Sequence, residues 1–181
     1  MKAFILDTET TGLIRNHTIA LDKQPEIIEF YGALVDLETG DLLKEIASFI
    51  RPANFPRSDE VKKDTKTQIS DEELENAPLF RDVADQIKEA IETWAPIAIA
   101  HNMSYDQEMI NIEFERLGKQ VKWPRLLCSV EQSLHIKGHR LTLTDLYMFL
   151  FNEGFKDAHR AKADTQALIR SCVELYKRKM L

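Results

Sequence analysis

The stretch Ala3-Phe-Ile-Leu-Asp-Thr-Glu-Thr-Thr-Gly12 governs how the rest of the chain is read. Ala3 to Leu6 form a short apolar run that predicts a buried strand, Ala3 to Asp7, ending in polar residues. Side chains alternate along a strand, so Asp7 and Glu9 project to the same face. Two carboxylates side by side repel and make a poor surface feature, yet they form an oxygen platform suited to Mg²⁺ or Mn²⁺. Taken alone, the pair also fits a solvated loop. The following Thr10-Thr11-Gly12-Leu13 supplies hydroxyls and a glycine that let backbone N–H groups approach an anionic or hydroxyl-bearing ligand.

Working outward, Glu26 to Val35 (EIIEFYGALV) predicts a second strand, and Asp36-Leu-Glu-Thr-Gly40 a turn with Gly40 at the positive-φ position. A third strand, Leu42 to Ile50, stops at Arg51-Pro52, completing an antiparallel meander. Pro52 to Gln68 is polar and reads as loop with some local helix. Ser70 and Glu73 have the spacing of a capping box. A helix is expected from Pro78 to Trp94, with Leu79, Val83, Ile87 and Ile91 on one face, and Pro96 breaks it. Ile97 to Ala100 reads as a strand feeding His101-Asn102. Ser104 is then expected to cap a helix to about Leu117, ended by Gly118. Leu141 to Phe151 and Ala161 to Lys179 complete the helical stretches. This order predicts one α/β domain over residues 1–181, with a mixed sheet flanked by helices.

Composition narrows the function classes. The 181 residues carry 24 Lys+Arg against 30 Asp+Glu, a net charge of −6, which argues against coating a long polyanion with bulk positive charge. It leaves room for a nucleic-acid enzyme whose carboxylates hold metal. No 18-residue apolar run and no targeting segment are read, so a membrane span is excluded, no membrane partner is expected and the cytoplasm is the expected location. Cys128 and Cys172, the two cysteines, cannot build a disulfide framework and fit a reducing compartment.

Two further constellations follow. In His101-Asn-Met-Ser-Tyr-Asp106 a strand end meets a helix start, and Asp106 either caps first-turn N–H groups or adds a metal-associated carboxylate. In His159-Arg-Ala-Lys-Ala-Asp164 the five-residue spacing separates the two side chains by about 140° on an ideal helix. Both reach one site only if His159 lies on the loop before the helix. His135 and His139 have an i,i+4 spacing, but Gly138 interrupts the helix and no matching carboxylate accompanies them. Trp94 and Trp123 read as core or rim packing.

Asp-x-Glu on the first strand, a distant His-Asn-x-x-aromatic-Asp and a late His-x-x-x-x-Asp, in that order, resemble the DEDDh (DnaQ-like) 3′→5′ exonucleases of the ribonuclease H-like fold. The resemblance spans nearly the whole chain, through DTETTGL, QPEIIEF, TQISDEELENAP, HNMSYD and AHRAKADTQAL. It implies metal ligands at Asp7, Glu9, Asp106 and Asp164, two divalent cations (Mg²⁺ or Mn²⁺), and His159 as the base that activates water. Arg160 stands where the tyrosine-type sister subclass has Tyr, and Tyr105 where many relatives have Phe.

The resemblance also implies that Thr10 and Gly12 approach the terminal 3′-hydroxyl, that Leu13 wedges against the last bases, and that Asn102 lines the pocket. An ordinary core leucine is the other reading of Leu13. Arg160 and Lys162 are candidate phosphate contacts, with Lys62, Lys63 and Lys66 a more distant basic cluster. The substrate implied is the 3′ end of nucleic acid, single-stranded DNA in first place and RNA or short oligonucleotides as the alternative. A polymerase or a second copy of the chain stands as a possible partner. The segment Ile14 to Gln24 reads either as a lip over the site or as a neutral insertion.

Overall fold

A computed structural model describes residues 1–64 and 67–181. Its centre is a five-stranded sheet in the order β3-β2-β1-β4-β5. The strands are β1 (Lys2–Thr10), β2 (Ile27–Asp36), β3 (Leu42–Phe49), β4 (Ile97–Ala100) and β5 (Arg125–Cys128). The first three form the expected meander, and β4 and β5 add parallel to β1. The helices are α1 (Asp59–Asp64), α2 (Asp71–Glu75), α3 (Phe80–Thr93), α4 (Met103–Arg116), α5 (Ser129–Lys137), α6 (Leu143–Phe151) and α7 (Ala161–Lys177).

The central position of β1 follows from its sequence. Ala3, Phe4, Ile5 and Leu6 are all fully buried because helices cover both faces of the strand. Phe4 and Leu6 pack with Ile87 and Ile91 of α3 and Ile110 and Phe114 of α4. Ala3 and Ile5 face the other way, onto Leu168 and Cys172 of α7. Gly32 admits this packing, since a Cβ there would collide with the Phe4 ring.

β1 runs three residues beyond its expected end at Asp7. Pairing with β2 continues through Thr8↔Phe30 and Glu9↔Glu29, whereas β4 pairs only at Phe4 and Ile5. Ladder hydrogen bonds on one side outweigh the polar character of the residues. The end of β1 therefore projects past β4, carrying Asp7 and Glu9 on the α7 face.

Several local expectations are corrected. Ser104 lies inside α4, and the N-cap is Asn102, which adopts a left-handed conformation (φ 75°). The last two helices start at Leu143, capped by the Thr142 side chain, and end at Lys177. β5 and α5 are not anticipated. β5 has four residues between a Pro-containing loop and a helix, too few to reveal a period. The Ser70–Glu73 capping box and the left-handed Gly40 turn match expectation.

Ile14 to Gln24 is a built loop. The buried Gln24 side chain accepts from Arg15 N–H and donates towards the carbonyls of Arg15, Asn16 and Ile19. Arg116 of α4 donates to the carbonyls of Leu21, Gln24 and Pro25 and pairs with Glu113 at 2.9 Å. Glu113 in turn accepts the Ile27 N–H. Removing Arg116 strands a buried carboxylate and three carbonyls. Arg116→Ala is expected to lower the unfolding free energy by about 3 kcal/mol in urea titration, and a loss below about 1 kcal/mol would contradict the clamp.

Candidate active site

The projecting end of β1 gathers carboxylates from both sides of the sheet. Asp7 and Glu9 share the face covered by α7, which brings in Asp164 from its first turn. Asp7, Glu9 and Asp164 each offer an oxygen within 4.8 Å of the others. Asp106 arrives from α4 on the opposite side. Its Oδ1 accepts both the N–H of Thr8 (3.0 Å) and the Thr8 hydroxyl (2.8 Å). Beyond the pairing with β4 the side chain of Asp106 thus satisfies a strand N–H that has no strand partner on that side.

The carboxylates crowd one another electrostatically. Burial, then the charges of Asp106, Asp164, Glu9 and Glu29, holds the Asp7 carboxyl well above the usual carboxylate range. Burial, then Asp164, Glu29 and Asp106, raises Glu9 to about 8, with Arg160 opposing. Burial raises Asp106 to about 7 against its hydrogen bonds from Thr8. Asp164 is also raised, chiefly by burial. Two unit charges ~5 Å apart at an effective dielectric of 20 repel by about 3 kcal/mol, and the site contains several such pairs. An all-oxygen donor set with unmet negative charge fits hard divalent cations, with Asp7, Glu9 and Asp164 as the convergent donors and Asp106 beside them.

His159 satisfies the geometric condition set by the spacing. It lies on the loop before α7, exposed, with φ 69°, and its N–H donates to Asp164 Oδ2 at 3.0 Å. A fifth carboxylate, Glu29, is the main residue that motif reasoning missed. It stands opposite Glu9 in the sheet, buried, and its Oε2 accepts the Ala161 N–H at 2.9 Å. The detectable signal was a charge inside the apolar run of β2, a position that demands a partner. Arg160 provides one. Its Nε lies 3.5 Å from Glu29, its Nη2 lies 3.2 Å from Glu73, and its guanidinium covers the Phe49 ring. Arg160 thus sits beside the site already engaged by two carboxylates.

Thr10 is buried, and Asn102 is exposed at the start of α4. Leu13 is 81% exposed, which excludes the core reading. It stands with Gly12 on the wall of a cleft of about 700 Å³ that continues along Arg15, Lys23 and Asn54. Lys62 is paired with Asp71 at 2.7 Å, Lys63 is exposed, and Lys66 lies outside the described residues. His101 is held neutral by burial, which lowers it to about 4, and its Nδ1 lies 2.8 Å from Ser129 Oγ. His135 and His139 are exposed and join no metal-binding group among the described residues. Trp94 packs edge-on against Phe4, and Trp123 donates to Asn111. Cys172 is buried, its thiol pushed up to about 12. No helix among the described residues is long and apolar enough to cross a membrane.

Comparison with known proteins agrees with this geometry. A family model described as "Exonuclease", of RNase T type, matches residues 4–171. The chain is 30% identical over 173 residues to the DNA polymerase III subunit epsilon of Buchnera aphidicola subsp. Acyrthosiphon pisum, covering 92% of this chain and 69% of that protein. It is 28% identical to the PolC-type DNA polymerase III of Listeria monocytogenes, covering 90% of this chain but only 10% of that protein. Among solved structures, the nuclease domain of 3′hExo, a DEDDh family member bound to rAMP, superposes with a TM-score of 0.76 at 18% identity, covering 98% and 92% of the two chains. Exonuclease X in complex with 5′ overhanging duplex DNA gives a TM-score of 0.70 at 17% identity, covering 99% and 93%. The chain belongs to the DEDDh (DnaQ-like) exonuclease family, and its fold is ribonuclease H-like. Its enzyme class is accordingly that of the 3′→5′ exonucleases.

The raised carboxylates give stability a definite pH sign. Glu9 and Asp106 keep protons in the folded state that the unfolded chain loses near pH 4, so their contribution is present below that pH and lost as pH rises through about 7 and 8. His101, lowered when folded, acts oppositely, but its effect is complete by about pH 7. In EDTA the melting temperature should therefore fall from pH 7 to 8. Glu9→Gln should flatten that fall and melt higher at pH 8. A wild-type melting temperature that rises across this interval would contradict the assignment.

Proposed function

We propose that this chain is a single exonuclease domain that removes 5′-mononucleotides from 3′ ends, with single-stranded DNA as its main substrate. Asp7, Glu9, Asp106 and Asp164 would hold two divalent cations, Mg²⁺ or Mn²⁺. Such ions supply a more acidic water and stabilise charge on the leaving oxygen. The observation that carries this reading is the convergence of Asp7, Glu9 and Asp164 within 4.8 Å beside an exposed histidine at the start of the same helix.

His159 is the general base. Its backbone N–H is tied to Asp164 Oδ2 and the residue is exposed to solvent, which supports this assignment. It takes the proton of the attacking water as the new P–O bond forms. The P–O3′ bond then breaks, and the departing 3′-oxygen takes a proton from solvent water. Thr10 and Gly12 border the place of the terminal sugar, Asn102 lines it, and the exposed Leu13 meets the last base. Arg160 acts through Glu29 and Glu73, holding the start of α7 to the sheet.

Cleavage of RNA or short oligonucleotides is the second substrate reading. The Buchnera epsilon subunit, matched over 69% of its length, favours a further role beside a polymerase. A cytoplasmic location accords with either reading.

A time course on matched 5′-labelled DNA and RNA oligonucleotides, with Mg²⁺, Mn²⁺ or EDTA, tests the proposal. The expected result is a metal-dependent ladder shortening from the 3′ end, faster on DNA. Asp7→Ala should abolish it, and His159→Ala should slow it about 10²- to 10⁴-fold. Absence of cleavage by folded, metal-supplemented protein would overturn the reading.

A further inference from the structure

The turn that carries Leu13 is tied down from one side chain in particular. Tyr105 lies in the first turn of α4, next to Asp106, and its hydroxyl reaches across to the end of β1. It is 2.6 Å from Thr10 Oγ1 and 2.7 Å from the Gly12 carbonyl oxygen, while Thr10 Oγ1 is itself 2.9 Å from the same carbonyl. These three contacts have only two hydroxyl protons between them, and a carbonyl brings none. The two shortest contacts therefore make a chain: Thr10 O–H donates to the Tyr105 oxygen, and Tyr105 O–H donates to Gly12. A planar trans peptide then turns the Leu13 N–H away from Tyr105.

The flanks of the turn are also held. Thr11 N–H donates to the Glu26 carbonyl, Glu26 N–H donates to Thr11 Oγ1, and Arg15 N–H donates to Gln24. Leu13 is thus a leucine 81% exposed on a turn fixed at both ends. Exposing an apolar side chain on a rigid base costs free energy in the unbound protein. Its return is preorganisation, because a partner that covers the leucine has no loop to order.

We propose that the Tyr105 hydroxyl is a positioning group for substrate. Through Gly12 it sets Leu13 at the angle from which that side chain meets the terminal base of a nucleic-acid 3′ end. This rests on the proposed exonuclease function and adds a residue to it. Phe at position 105 keeps the ring and loses only the clamp, so Tyr105 governs how tightly the chain end is held and leaves the carboxylates as they are.

Steady-state kinetics on a single-stranded DNA oligonucleotide, for wild type, Tyr105→Phe, Leu13→Ala and the double variant, provide the test. Tyr105→Phe should raise KM about five- to tenfold with kcat within about twofold, the scale of one lost hydrogen bond. Leu13→Ala should raise KM at least as much. The double variant should be no worse than Leu13→Ala, because the clamp has nothing left to position. Anisotropy binding of the same oligonucleotide, with each substitution placed in the Asp7→Ala background, should give the same ranking without turnover. An active wild type whose KM is unmoved by Tyr105→Phe overturns the positioning role alone. So does a double variant whose effects multiply, or a Tyr105→Phe loss that falls on kcat. A wild type that cuts nothing overturns the exonuclease reading instead.

Discussion

Mutual repulsion among half-buried and buried carboxylates is the constraint around which the molecule is arranged. β1 keeps its pairing with β2 after β4 has ended, so Asp7 and Glu9 stand at the projecting end of a central strand. α7 delivers Asp164 to the same face, α4 delivers Asp106 from the other side, and β2 places Glu29 directly opposite Glu9. Among the described residues Arg160 is the cation that eases Glu9, and it is shared with Glu29 and Glu73. Such a group folds only by holding protons or by holding cations. Its raised carboxyls record the first solution, and its donor chemistry fits the second.

The surrounding structure stops this repulsion from spreading the strand end apart. Two hydrogen bonds from Thr8 pin Asp106. Glu29 is paired with Arg160 and with the first N–H of α7, so a charge that would otherwise push α7 off the sheet instead ties it down. His159 N–H on Asp164 closes the loop before α7 onto the helix. On the far side Tyr105 and Arg116, both from α4, hold the Thr10–Leu13 turn and the Ile14–Gln24 loop. α4 thus organises one rim of the candidate site, and the sheet, through Glu29, organises the other.

The meander was legible because an apolar run, a glycine turn and a proline stop all agree over Glu26 to Pro52. The carboxylate motifs were legible because their residue types and order are unusual for a surface. Other features were written in tertiary contacts, which local patterns do not carry. Four-residue β5 gains its identity only from pairing with β4. The extension of β1 depends on its partner strand, and α4 starts at Asn102 in place of the expected Ser104 cap. Ile14 to Gln24 read as either a lip or a neutral insertion because its organiser, Arg116, lies some ninety residues away. Glu29 was visible as a charge in an apolar strand, but Arg160, in a site motif, pointed to phosphate before it pointed to Glu29.

The central claim is that the carboxylates at the end of β1 retain protons until cations displace them. Calorimetric titration of Mn²⁺ into the metal-free protein, repeated in buffers of different ionisation enthalpy, counts the protons released on binding. With Glu9 raised to about 8 and Asp106 to about 7, binding at pH 7 should release on the order of one proton or more, and release should fall towards zero by pH 9. Tight Mn²⁺ binding at pH 7 with no proton release would mean that the carboxylates are already ionised, and the account would be contradicted at its foundation.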